Sequence, residues 1–286
     1  MTCRAFCRML VSVILASLVA GCVPPKAVAT YATAASKATA GFPPIARDMH
    51  ASCLRFQAFS AQRRGDGWYD ESTLRGRCAA RDTAVAAVLS VNRVLSAYFS
   101  ALSALADDKI VSADKELGTL ATTLVSKAGM NQGQVSAVRA VVDYLSSGVM
   151  DGRRRSALTR AITTQNSNVT LIADGLDEIV QRDFQQILRT EEQGTNSFYR
   201  AVLLEGRDRE PVAAALLMDQ RDDRVAALKT RQANLDDYRK ALGTIKSGHH
   251  KLYASRNNLK AKALAGELAD HAKSLEKIAQ QLEKAF

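Results

Sequence analysis

Apolar residues along this chain recur with helical period. Val88, Val91, Leu95, Tyr98, Leu102 and Leu105 step by threes and fours, and so do Val135, Val138, Val142, Leu145 and Val149. That spacing lines one face of a helix. Leu171, Ile172, Leu176, Ile179, Val180, Ile187 and Leu188 form a third stripe. Val225, Leu228, Leu235, Tyr238, Leu242 and Ile245 form a fourth, with polar Gln232 at its missing core position. Leu264, Leu268, Leu275, Ile278 and Leu282 form the last, with His271 inside it. No stretch shows the sustained period-two alternation of a half-buried strand.

Punctuation divides the stripes into elements. No proline occurs between Pro44 and Pro211. Asp70 or Ser72, and Ser112, suit helix N-caps, and Asn131 with Gln134 matches a capping box. Pro211 suits a first helical turn. Gly129, Gly206 and Gly248 read as turns. The pattern predicts helices over 45–63, 72–106, 112–128, 132–149, 152–165, 168–205, 211–246 and 250–285. The fold class expected is all-α: an elongated helical bundle with long antiparallel, coiled-coil-like helices. The last two helices have nearly equal length, so Gly248 is expected at the tip of a hairpin over 211–286, packed on or extending from a bundle over 44–210, with a single bent helix as the alternative.

Composition agrees with a folded chain and adds an address. With 47% hydrophobic and 24% charged residues, the 286-residue chain is no disordered polymer. Arg4 and Arg8 precede an apolar run from Met9 to Ala20, 12 residues long. A membrane-spanning helix needs about 20, and the layout is that of a secretory signal peptide. It ends in Leu18-Val19-Ala20-Gly21-Cys22, which resembles the lipobox of bacterial lipoproteins. The resemblance implies removal of residues 1–21, lipid (palmitate among the acyl chains) on Cys22, and a membrane-anchored chain in the bacterial envelope. Val23, where an inner-membrane signal would place Asp, implies the outer membrane facing the periplasm. Residues 22–43, bracketed by proline pairs and rich in Ala and Thr, are expected to form a tether that lifts the folded body off the membrane, with a reach of about 25 Å if flexible and a partly helical Ala-rich middle as the alternative.

The address changes how cysteine and charge are read. Cys3 and Cys7 leave with the leader and Cys22 takes lipid. Cys53 and Cys78 then remain for an oxidising compartment and are expected to form a disulfide. The alternative is a reactive Cys53 with His50 on the same helical face. The formal charge of +10 loses Arg4 and Arg8 and becomes +8. Outside the cytoplasm this excess points to phosphates and carboxylates of the envelope, with no nucleic acid as partner. Arg153, Arg154 and Arg155, followed by Arg160, stand near a helix start, where positive charge opposes the dipole. They are candidates for binding an anion, a partner, peptidoglycan or anionic lipid. Trp68, in a loop beside Arg64-Gly65-Asp66, is a candidate partner contact.

Catalytic and metal signals are sparse. The four histidines, His50, His249, His250 and His271, show no ligand spacing of a known metal motif. Ser112 and Lys115 match Ser-x-x-Lys without its companion motifs. Asp107-Asp108, Asp222-Asp223 and Asp236-Asp237 lie on single helices, where neighbours do not face each other. No catalytic residue, metal or cofactor is expected. The expected function is a non-catalytic, membrane-anchored scaffold or accessory subunit with an envelope protein partner. The alternatives are an envelope enzyme or ligand-binding protein acting on peptidoglycan, and a basic module binding cell wall or anionic lipid.

Overall fold

The computed structural model describes residues 25–63, 71–107, 109, 127–147 and 154–284, and these form an all-α bundle. Its helices are α1 (Lys26–Ala40), α2 (Phe42–Arg63), α3 (Glu71–Ala106), α4 (Gln132–Ser146), α5 (Arg154–Ile179), α6 (Gln185–Gly206), α7 (Pro211–Ala254) and α8 (Lys262–Lys284). A π-helical turn, Val180–Phe184, joins α5 to α6. Asn131 caps α4 through the reciprocal box with Gln134, and Gly129 turns at φ 78°. Pro211 occupies the first turn of α7.

Two helical columns run the length of the molecule in one direction and two return. Column one is α1 followed by α2, column two is α5 followed by α6, and α3 and α7 are antiparallel to both. Ser103 in α3 bonds the α1 carbonyl of Ala29, and Asn92 bonds that of Thr39. Further along, Cys53 in α2 meets Cys78 in α3. Asp174 and Asp177 in α5 meet Lys246 and Arg239 in α7, and Glu192 in α6 meets Gln232. The end where α1 begins is called proximal below. α4 and α8 thicken the proximal half by packing on α5 and on α1 and α7.

One apolar core runs from Val28 to Leu282, so the expected division at residue 210 separates no independent units. The stripes at 88–105, 135–145 and 264–282 lie inside it, apart from half-buried His271. Leu171 does not: it is 37% exposed, while Val169, Ile172 and Leu176 face inward. α3 is long and apolar enough, by length and composition, to cross a membrane, but 67% of its apolar stretch is buried within the bundle.

Three expectations need correction. Residues 26–40 are a core helix rather than a tether. Val28, Tyr31, Ala32, Ala34, Ala35 and Ala38 have no exposure at all. Small side chains let α1 approach α3 and α8 closely, and its exposed Thr30, Thr33, Lys37 and Ala40 form one narrow stripe. Gly248 is no hairpin tip: α7 continues to Ala254, and the chain turns over residues 255–261. The break expected near residues 166–167 is absent; Thr170 bonds the carbonyl of Asn166 and the helix continues. The helix expected over 112–128 falls mostly outside the described residues.

Cys53 and Cys78 form a disulfide with Cα atoms 6.0 Å apart. Closing a loop of this size stabilises by about 3 kcal/mol. His50 instead contacts Asp82 at 2.5 Å.

Candidate functional site

Charge gathers at the proximal end. Three helices begin there, and each opens on a cation: Lys26 for α1, Arg154 for α5 and Lys262 for α8. None of the three has an acid in its first turn. The α7–α8 turn adds Arg256 and Lys260, and Arg160 is exposed one and a half turns into α5. The Arg256 guanidinium lies 4.5 Å from the centre of the Tyr253 ring and donates through Nη1 to the Tyr253 carbonyl at 2.9 Å. Pro25, Leu158, Leu259, Arg256, Asn258 and Lys260 line a cleft of about 230 Å³ at this end.

Of the basic residues read from the sequence, Arg154, Arg155 and Arg160 lie at the start of α5. Arg153, Trp68 and Cys22 lie outside the described residues. Lys26, Arg256, Lys260 and Lys262 were not anticipated. Lys26 becomes a helix start only once residues 26–40 are a helix, and Arg256, Lys260 and Lys262 come together only once the turn moves from Gly248 to residues 255–261.

The core holds a histidine. His249, expected in a solvated turn beside His250, is 1% exposed. Its Nε2 lies 2.8 Å from the Tyr98 hydroxyl and its Nδ1 3.2 Å from Asn166 Oδ1. A neutral ring satisfies both contacts, donating from Nδ1 to Asn166 and accepting from Tyr98 at Nε2. Burial, with a smaller contribution from His250, pushes its pKa down to about 3. Burial likewise raises the Tyr98 hydroxyl well above the ordinary range. The sign for stability follows from the depressed value. The unfolded chain binds the His249 proton near pH 6.5 and the folded one only near pH 3, so this contribution is complete above pH 6.5 and fades as pH falls between the two. Unfolding free energy should therefore lose up to about 1.4 kcal/mol per pH unit in that window from this one group. Urea titrations of wild type and His249→Gln from pH 7 to pH 4 check it: the variant should have the shallower slope.

Two carboxylates and two guanidinium groups meet where α2, α6 and α7 pack. Arg55 Nε reaches Glu191 Oε1 at 2.5 Å, and its Nη2 reaches Glu191 Oε2 and Asp48 Oδ1, each at 3.1 Å. Arg231 faces Asp48 at 3.3 Å and Glu191 at 3.6 Å. Ser52 donates to Glu191 Oε2 at 2.5 Å. Glu191 is the only buried acid among the described residues, and a buried acid is what an enzymatic reading asks for. Arginines bracket it from two helices, which leaves a closed neutral quartet. The groove between α5 and α7, about 430 Å³, is similar in kind: its Asp174 and Asp177 pair with Lys246 and Arg239 at 2.7 and 2.6 Å. Of the acids read as pairs, Asp236 accepts from Gln185, Asp237 pairs with Lys240, and Asp222 pairs with Arg221.

No protein family, curated protein or solved structure matches this chain.

The distal end differs from the proximal one. Leu204 (78% exposed), Val212 and Leu216 stand in solvent around the α6–α7 turn. At 1.5 Å per residue, the 44 residues of α7 place that turn about 66 Å from the proximal end.

Proposed function

We propose that the chain is a lipid-anchored, non-catalytic helical scaffold of the bacterial envelope, held by Cys22 and presenting its distal turn to an envelope protein partner. The observation that carries the reading is the lipobox-like Leu18-Val19-Ala20-Gly21-Cys22, whose cysteine stands three positions before Pro25, the first described residue of the bundle. A chain cleaved after Gly21 would lose none of the described bundle. The disulfide between Cys53 and Cys78 suits an oxidising compartment. The closed ion pairs and the neutral, doubly bonded His249 give the polar interior a structural use. Exposed apolar residues around a turn, as at Leu204, Val212 and Leu216, are what an interaction subunit presents. The outer membrane, facing the periplasm, is the location that Val23 favours.

Metabolic labelling with a palmitate analogue in a bacterial host tests the anchor. The wild-type chain should carry label and fractionate with membranes, and Cys22→Ser should lose both. Label retained in Cys22→Ser, or wild type released as an unacylated soluble chain, contradicts the reading.

A further inference from the structure

We propose that the proximal end face is an electrostatic seat for anionic lipid headgroups, centred on the cleft between Pro25, Leu158 and Arg256. The proposal rests on the anchored reading above and specifies how the anchored body meets its membrane.

Reach brings this end to the membrane. Only Val23 and Pro24 separate Cys22 from Pro25, and the three steps fully extended span at most about 11 Å. Pro25 caps α1, whose next turns are buried in the core, so no slack can be drawn from the bundle. An acyl group on Cys22 therefore holds the proximal end within roughly one Debye length of the headgroup plane. At that range basic residues and anionic lipid attract strongly.

Charge at this end is unspent within the fold. Cations at the starts of α1, α5 and α8 oppose the helix dipoles, so helix stability does not account for them. Lys26, Lys260 and Lys262 are exposed and form no ion pair with a described residue. The one described acid in the α3 terminus here, Asp107, is already engaged by Lys109 at 3.0 Å. Residues 255–265, the α7–α8 turn and the start of α8, carry Arg256, Lys260 and Lys262 and no acid.

Shape suits a headgroup as well. The cleft has an apolar floor, Pro25, Leu158 and Leu259, and a polar wall, Arg256, Asn258 and Lys260. A lipid glycerophosphate has the same two characters. Arg256 is held in place by the Tyr253 ring and carbonyl, and its remaining N–H groups can donate to a phosphate.

The test uses the mature chain from residue 22 with Cys22→Ser, so that no acyl group contributes. It is sedimented with vesicles of phosphatidylcholine alone or mixed equally with phosphatidylglycerol. Binding should require phosphatidylglycerol, weaken with added salt, and survive millimolar inorganic phosphate. Lys26→Glu/Lys260→Glu/Lys262→Glu should weaken it at least about tenfold. Arg207→Glu/Lys229→Glu/Lys273→Glu, an equal charge change elsewhere, should leave it within about twofold. Should the proximal triple variant melt early, the salt titration of the unsubstituted chain decides instead.

Equal binding to both vesicles, no binding to either, equal loss in both triple variants, or binding unmoved by salt would overturn the proposal. Displacement by inorganic phosphate would overturn it in favour of a small-anion site. Retention on purified cell-wall sacculi without vesicle binding would overturn it in favour of the wall. Because this chain carries no lipid, failure here leaves the palmitate result standing, and failure of labelling leaves this result readable.

Discussion

Tyr31→Ala should lower the unfolding free energy by about 3–5 kcal/mol, the range for deleting a fully buried aromatic side chain. Tyr31 has no exposure, and its ring meets the edge of Phe99 at 5.9 Å and His271 at 6.4 Å. Its hydroxyl donates to the Ile245 carbonyl of α7 at 2.5 Å. The ring lies so close to Gly248 that a Cβ built there would fall 2.6 Å from Cζ and 2.8 Å from the hydroxyl oxygen. Gly248→Ala should therefore reverse the usual sign. At Gly266, where a Cβ meets nothing within 4 Å, alanine should stabilise by about 0.5–1 kcal/mol. At Gly248 it should destabilise by about 1–3 kcal/mol through overpacking. In a Tyr31→Ala background, alanine at residue 248 should cost little or nothing. Urea unfolding of the four chains gives this coupling directly; no coupling would mean that Tyr31 does not pack on Gly248. A flexible tether over residues 22–43 would make Tyr31→Ala silent.

Glu191→Ala should cost about 3 kcal/mol. Removing one member of a buried ion cluster leaves its partners uncompensated, at about 3–5 kcal/mol. The lower value applies because Arg55 and Arg231 keep 27% and 25% side-chain exposure. The substitution leaves two guanidinium groups facing Asp48 alone, with Ser52 deprived of its acceptor. Lys240→Ala, which removes an exposed lysine paired with half-buried Asp237, should leave the denaturation midpoint almost unchanged. Chemical denaturation checks both. A Glu191→Ala chain as stable as wild type would mean that the quartet contributes nothing net, and would reopen Glu191 to a role in chemistry.

The parts of the fold legible in the sequence were those written in large apolar residues at helical spacing. Val88 to Leu105 and Leu264 to Leu282 read correctly because valine and leucine mark a buried face without help from context. α1 was missed because its buried face is alanine, whose modest hydrophobicity resembles a linker, and because proline pairs flank it. Here Pro25 caps one helix, and Pro43 and Pro44 sit in the first turn of the next. Gly248 was misread for a linked reason. A glycine beside two histidines resembles a turn, and the ring that requires it belongs to Tyr31, 217 residues earlier. The buried His249 and the Glu191 quartet were invisible because each joins helices far apart in sequence. The basic end was half legible. Arg153, Arg154, Arg155 and Arg160 stood out as a run, but Lys26, Lys260 and Lys262 join them only through the fold.

The orientation of the anchored molecule can be read from two positions. A fluorophore is placed at Lys260→Cys or at Val212→Cys in the acylated protein, reconstituted into vesicles whose headgroups carry a nitroxide quencher. With α1 built into the core and only two residues between Cys22 and Pro25, the label at residue 260 should be strongly quenched. The label at residue 212, about 66 Å along α7, should not be. Equal quenching at the two positions, or stronger quenching at residue 212, would show that the bundle is not held by its basic end.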